Sequence, residues 1–236
     1  MAVIPARGGS KGLPGKNILL LMGKSVLVYT VEAALQARSL DRVILSTDSE
    51  EIAEVGRLAG AEVLFMRPAE LATDSAHPTA VLEHAVTYLE ETDGYITELV
   101  VTLQPTSPLR VSSDIDDAVQ LLQNNGEMDS VITIMEVGLP PYWVLRTDGP
   151  YLRPFIDDGT DYSLMRRQEL EQTYRPNGAV YVTRRELLKN RGLIFSAFSQ
   201  GKTGYVLMDP IRSLDIDTQT DFTVIESILK DRQPGE

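Results

Sequence analysis

From Ala2 to Met135, short β-branched runs alternate with amphipathic helical stretches. No other feature constrains the fold as tightly. Ala2 to Pro5 reads as a first strand and Ser25 to Arg38 (SVLVYTVEAALQAR) as a helix. Arg42 to Thr47 (RVILST) reads as a strand, Ser49 to Ala59 as a helix, and Glu62 to Phe65 as a third strand. Pro78 to Glu91 follows as a helix, with Asp74 or Ser75 near its entry. Glu98 to Leu103 (ELVVTL) has the continuous apolar character of a buried strand. Asp114 to Gln123 reads as a helix that Ser112 or Ser113 is expected to cap, and Ser130 to Met135 as the next strand. Strands alternating with helices predict parallel βαβ units in an α/β fold, a three-layer αβα sandwich with a mostly parallel, Rossmann-like sheet. Right-handed crossovers follow from the twist of the strands.

The rhythm breaks after Glu136. Between Pro140 and Tyr174 stand PPYW, TDGPYLRPF and DDGTDY, aromatic pieces separated by turn residues. This reads as an inserted hairpin or arm, about 138–175. GAVYVT at 178–183 resumes the sheet, Tyr205 to Met208 is a late strand, and Thr220 to Lys230 a closing helix. With no internal repeat, low-complexity tract or flexible linker, residues 1–236 are expected to form a single domain carrying that arm.

A hydrophobic fraction of 43 % suits a soluble chain with a sizeable core, and the net charge of −12 argues against broad binding to nucleic acid or anionic membranes. There is no cysteine, which excludes disulfides, thiolate ligands and a cysteine nucleophile. The two histidines, His77 and His84, exclude a His-rich metal site and disfavour a Ser/His triad. Without an apolar run of about 18 residues or a charged-then-apolar leader, a cytoplasmic location is expected. The chain starts almost on its first strand, so a few residues are expected to precede it.

The first strand feeds the loop RGGSKGLPGKN, Arg7 to Asn17. A P-loop would need glycine at position 10 and Ser or Thr at 17, where Ser10 and Asn17 stand. The glycine spacing also fails the dinucleotide fingerprint, although Asp48 follows the second strand suggestively. A longer anion-binding loop remains. Arg7, Lys11 and Lys16 supply three cations within ten residues, and four glycines let backbone N–H groups approach phosphate oxygens. Pro14 stiffens the loop. A solvated basic turn is the plain alternative.

Near the other end, Asp215 and Asp217 flank Ile216 in SLDIDT. In extended backbone they face the same side. Adjacent carboxylates repel unless a cation lies near, and Mg²⁺ is commonly held by one or two carboxylates plus phosphate oxygens and water. The pattern reads equally well as an exposed strand end with Asp217 or Thr218 as a helix cap. Asp221, on the following helix, is expected to be structural.

The loop motif PARGGSKGLPGKN resembles the opening of the sugar nucleotidyltransferases. Within them it is most similar to the acylneuraminate (CMP-sialic acid synthetase-like) cytidylyltransferases, which activate nine-carbon 2-keto sugar acids. The resemblance continues through LSTD at 45–48, RPAELATDSA at 67–76, LQPTSPLR at 103–110, RPNGAVY at 175–181 and SLDIDTQTDF at 213–222. It implies CTP and a 2-keto sugar acid as substrates, release of pyrophosphate, Mg²⁺ on Asp215 and Asp217, and a homodimer in which the arm reaches the partner's site. Arg7 and Lys16 would neutralise the β- and γ-phosphates, with Lys11 assisting and Asn17 orienting a phosphate or ribose oxygen. Arg67 is the candidate donor to the cytosine carbonyl, completed by backbone around Ala6 and Ala72.

On the sugar side, Gln104 offers a donor and an acceptor to a polyhydroxylated ligand, or simply belongs to a proline-stiffened turn. Arg175, Asn177 and Tyr181 come from RPNGAVY, and an arginine can hold the sugar carboxylate bidentately. Arg166 or Arg167 is implied to reach the sugar, Arg167 aligning better. The sialic acid enzymes tend to carry a lysine near LPPYWVLR, where this chain has Tyr142 and Trp143. Phe195 and Phe198 could line a pocket for an acyl group. Legionaminic and pseudaminic acids are therefore as plausible as N-acetylneuraminate. The related Kdo enzymes, which take an eight-carbon acid, usually carry an arginine where Lys11 stands. Rivals are a silent nucleotide-binding regulatory module, disfavoured by the intact acidic pair, and a nicotinamide oxidoreductase, disfavoured by the loop spacing and the lack of a Tyr-x-x-x-Lys pair.

Overall fold

A computed structural model describes residues 1–9, 12–191, 193–195, 197–198 and 201–232. The elements run β1 (Ala2–Pro5), β2 (Leu20–Leu21), β3 (Lys24–Ser25), α1 (Val26–Gln36), β4 (Val43–Ser46), α2 (Glu50–Ala59), α3 (Pro78–Thr92) and β5 (Leu99–Thr102). Then come α4 (Ser112–Gln123), β6 (Ser130–Glu136), β7 (Leu145–Asp148), β8 (Tyr151–Pro154), β9 (Tyr174–Arg184), α5 (Arg185–Arg191), β10 (Thr203–Leu207) and α6 (Gln219–Arg232).

The central sheet has the order β10-β6-β9-β5-β1-β4. β1 pairs in parallel with β4 and β5, and β10 with β6. β9 alone is antiparallel to both its neighbours, β5 and β6. The expected α/β sandwich with a mostly parallel sheet is therefore the observed one. Successive β1 residues point to opposite faces. Ala2 and Ile4 pack with Leu27 and Val31 of α1 and Ile115 and Leu122 of α4, while Val3 packs with Leu82 and Val86 of α3 and Leu188 of α5. Helices thus cover both faces of strands that are apolar on both sides, as parallel sheets require. A smaller cluster joins Leu13, Leu109, Ile216 and Ile225, tying α6 beneath the glycine-rich loop.

Local chemistry sets the element ends. Ser49 caps α2, its Oγ accepting from Ile52 N at 3.4 Å, and Gly60 ends that helix at φ +98°. Neither Ser112 nor Ser113 caps α4. Both lie inside the helix, and the Val111 N–H is instead held by Asp114 Oδ2 at 3.0 Å. The expected strand at 62–65 shrinks to a single bridge, Ile44 to Glu62. The segment touches the sheet edge through Glu62 N to Val43 O and next through Arg67 N to Thr47 O, and it bows away between. The insertion does hold a hairpin, β7 with β8, whose residues are all exposed. Tyr142 stacks on Tyr162 at 4.4 Å, and Trp143 Nε1 donates to the Tyr162 carbonyl at 3.0 Å, so PPYW packs within the arm. Among the described residues, no helix is long and apolar enough to cross a membrane.

Candidate active site

The glycine-rich loop leaves β1 at the carboxyl edge of the sheet, where ligands of open α/β folds bind. Asn17 ties its two ends, donating Nδ2 to the Arg7 carbonyl at 2.9 Å. Gly8 N donates to Asp48 Oδ1 at 2.9 Å, which fastens the loop to the end of β4. Lys16 reaches the acidic segment: its Nζ lies 3.0 Å from both the Ile216 carbonyl and Asp217 Oδ1. A Cβ at Gly12 would stand 2.4 Å from the Asp217 carbonyl oxygen, so only glycine permits this approach. Arg7 pairs with Asp74 at 2.6 Å. Lys11 lies outside the described residues.

The acidic segment is pinned from behind. Ile216, fully buried, donates its N–H to the Thr106 carbonyl at 2.8 Å, which sets SLDID against the LQPTSPLR turn. Asp215 and Asp217 flank it, Asp217 exposed and Asp215 half-buried. Burial, and next the charge of Asp217, push the Asp215 carboxyl above the usual range, while Arg175 opposes them. Asp221 accepts from Thr218 N at 2.7 Å, Thr218 Oγ1 at 2.8 Å and Asp217 N at 3.1 Å. It caps the start of α6, the structural role expected of it.

Arg7, Gly12, Lys16, Asn17, Asp74 and Asp217 line a cleft of about 650 Å³, whereas Asp215, expected in the site, is not among its lining residues. Arg67, Gln104, Thr106, Tyr181, Ile194 and Phe195 line the same cleft. Arg67 is buried, with Nε donating to Ser46 Oγ at 3.1 Å. Burial lowers its pKa, Asp48 works against that, and Arg7 adds to it. Tyr181 stacks on Phe195 at 5.6 Å, which in turn meets the exposed Phe198 edge-on at 5.8 Å. Gly178, at φ +78°, lets β9 pass close to Gln104, since a Cβ there would meet Gln104 Oε1 at 3.1 Å.

Residues 1–233 match the family model described as "Cytidylyltransferase". The chain belongs to the cytidylyltransferase family. It is 36 % identical over 235 residues to an N-acylneuraminate cytidylyltransferase of Escherichia coli, covering 99 % of this chain and 53 % of that protein. The chain thus spans about half of that relative's length. It is 32 % identical over 233 residues to the CMP-N,N'-diacetyllegionaminic acid synthase of Legionella pneumophila, covering 98 % of this chain and 96 % of that one. A solved structure of a CMP:2-keto-3-deoxy-manno-octonic acid synthetase complexed with CTP shares the fold, with a TM-score of 0.68, 20 % identity and 98 % of each chain covered.

Several residues anticipated for this cytidylyltransferase sit differently from expectation. Asn177 is buried, and its amide is occupied inside the protein. Nδ2 donates to Ser213 Oγ at 2.9 Å, and Oδ1 accepts from Thr133 Oγ1 at 2.6 Å and Ala179 N at 3.1 Å. It binds β9 to the SLDID segment rather than facing the cleft. Arg167 lies exposed on the arm, 3.9 Å from Glu136, and does not line the cleft. Arg175 also lies outside the lining but close enough to act on Asp215. The N–H groups of Ala6 and Ala72 already donate to Ser46 O at 3.0 Å and Ala69 O at 3.1 Å.

Asp74 lines the cleft and pairs with Arg7, and Asp48 anchors Gly8; the sequence reading gave neither a place in the site. Both lie in the quoted motifs, but nothing in the spacing pairs them with the loop. Among the described residues, no group of three or more His, Cys, Asp or Glu could hold a metal. Beyond burial, Asp217 acts on Asp215 strongly enough to raise it, so a cation beside the pair would relieve their repulsion, and two carboxylates would suit a hard metal whose other ligands are phosphate and water.

Proposed function

We propose that the chain transfers CMP from CTP to the anomeric hydroxyl of a nine-carbon 2-keto sugar acid and releases pyrophosphate. The observation that carries this reading is the cleft itself. Lys16 and Asp217, in contact with each other, line the same cleft as Gln104, Tyr181 and Phe195. The two relatives above are named for sialic and legionaminic acid chemistry, which supports a nonulosonic acid over other sugars.

Positioning and charge neutralisation do most of the work in such a reaction. Arg7 and Lys16 bind the phosphates, so Arg7 exchanges Asp74 for an anion and Lys16 turns from the acidic segment. Asn17 holds the loop in shape through the Arg7 carbonyl. Arg67, anchored on β4, offers its remaining donors to the base carbonyl. Gln104 orients the sugar hydroxyls, Arg175 the carboxylate, and the Tyr181–Phe195 pair receives an acyl substituent. Asp215 and Asp217 would hold a Mg²⁺ ion, which would supply charge neutralisation for the phosphates and acidify the attacking hydroxyl. The exposed Leu145, Leu152 and Phe155 of the hairpin support a homodimer, and the acidic, cysteine-free chain a cytoplasmic one. Sedimentation showing a concentration-independent monomer would remove the dimer.

The test is pyrophosphate release with CTP, Mg²⁺ and a panel of nine-carbon 2-keto sugar acids, against Kdo, other nucleotides and a no-sugar control. Release with a nine-carbon acid is expected. Release with Kdo alone, or silence in protein that still binds CTP, overturns the reading.

A further inference from the structure

Arg110, the last residue of LQPTSPLR, is buried in the core of the sheet's carboxyl edge. Its guanidinium makes no salt bridge among the described residues. Asp114, the carboxylate that acts on it, is paired with Arg212 at 3.2 Å. Its partners are two carbonyls and a hydroxyl. Nη1 donates to the Ala179 carbonyl at 2.6 Å and to the Gln104 carbonyl at 3.2 Å, and Nη2 donates to Thr30 Oγ1 at 2.6 Å. Nε has no partner. Thr30 in turn lies 3.4 Å from the Pro105 carbonyl.

A buried cation is a poor way to gain stability. Apolar residues of similar volume commonly do as well or better. What this one does is geometric. A single nitrogen ties together the backbone of Gln104, which lines the cleft, and that of Ala179 in β9. Gln104 is held by its own carbonyl, and Ala179 follows Gly178, the residue that lets β9 pass against the Gln104 amide.

We propose that Arg110, with Thr30 as its support, is a positioning residue for Gln104: it fixes the sugar-facing amide from behind and never touches substrate. The inference rests on the reading of Gln104 as a sugar contact. Arg110→Met, Thr30→Val, Gln104→Ala and the double variant Gln104→Ala/Arg110→Met test it in the full chain. Melting temperature, KM for the sugar acid and KM for CTP are measured for each.

Arg110→Met is expected to raise the sugar KM about tenfold, as the loss of two hydrogen bonds would, while the CTP KM stays within about twofold. Thr30→Val moves the same constant in the same direction by less, and it carries the test if Arg110→Met does not fold. The decisive comparison is the double variant. A residue acting through Gln104 has no further effect once Gln104 is alanine, so its sugar KM should equal that of Gln104→Ala. Additive losses, an unchanged sugar KM, or parallel shifts in both KM values that track the melting temperature overturn the proposal. If Gln104→Ala itself leaves the sugar KM unchanged, the sugar reading of Gln104 falls and the inference with it. If Gln104→Ala raises it and neither Arg110→Met nor Thr30→Val does, the inference alone falls.

Discussion

Lys16 Nζ meets Asp217 Oδ1 at 3.0 Å across 201 residues of chain. The contact joins the phosphate loop to the acidic segment. It is an exposed pair on the carboxylate side, with Asp217 71 % exposed, so it contributes little to stability. Lys16→Ala is therefore expected to leave the melting temperature within a few degrees of wild type. Turnover should fall about 100-fold or more, the scale of losing one preorganised electrostatic donor. Steady-state pyrophosphate release checks this, and a near-normal rate would remove Lys16 from the site.

Asp217 offers the complementary test. Asp217→Ala leaves Asp215 without its partner carboxylate, and Mg²⁺-dependent turnover is expected to vanish across the whole metal titration. Chelation of the wild-type enzyme with EDTA should do the same, reversibly on re-addition of Mg²⁺. Activity that survives both treatments would refute a metal on this pair.

Asn177 separates a structural role from a sugar contact. Its buried amide serves Ser213, Thr133 and Ala179, so Asn177→Ala leaves buried partners unsatisfied. A loss of about 1–3 kcal/mol in unfolding free energy is expected. A direct sugar contact predicts the opposite split, an unchanged denaturation midpoint with a raised sugar KM. Urea denaturation beside substrate titration decides between them.

The layered fold was legible because β1, β4 and β5 are apolar on both faces, and only a sheet covered by helices on both sides accommodates that. Strand direction was not. GAVYVT reads the same whether parallel or antiparallel, and β9 proved antiparallel. Residues 62–65 carry a strand-like pattern, yet only Glu62 reaches the edge, since apolar alternation says nothing about which residues find a partner. Within the site, Arg7, Lys16, Asn17, Arg67, Gln104, Tyr181 and Asp217 do line one cleft. Asn177 misled for a physical reason, and Arg110, to which the sequence assigned no role, is a parallel case. A polar residue in a substrate-like motif suggests contact with ligand, whereas Asn177, like Arg110, is buried and hydrogen-bonded within the protein. Burial of a polar group depends on partners distant in sequence, which no local pattern records.

The approach of loop to acidic segment makes a steric prediction. At Gly12 an added Cβ would fall 2.4 Å from the Asp217 carbonyl oxygen, and the obstacle is backbone rather than a side chain that could swing aside. Gly12→Ala must therefore push the loop off the segment and carry Lys16 with it. Stability should change little, because the clash lies at the exposed rim rather than in the core. Catalysis should suffer far more, since displacement of a positioned group by about 1 Å can cost about 100-fold. Gly138→Ala is the matched control. That glycine has open space around its Cβ position and lies outside the cleft, so rate and melting temperature should both stay at wild-type values. Equal behaviour of the two variants would mean that the loop tolerates displacement, and the close packing of Gly12 on Asp217 would then have no part in holding Lys16.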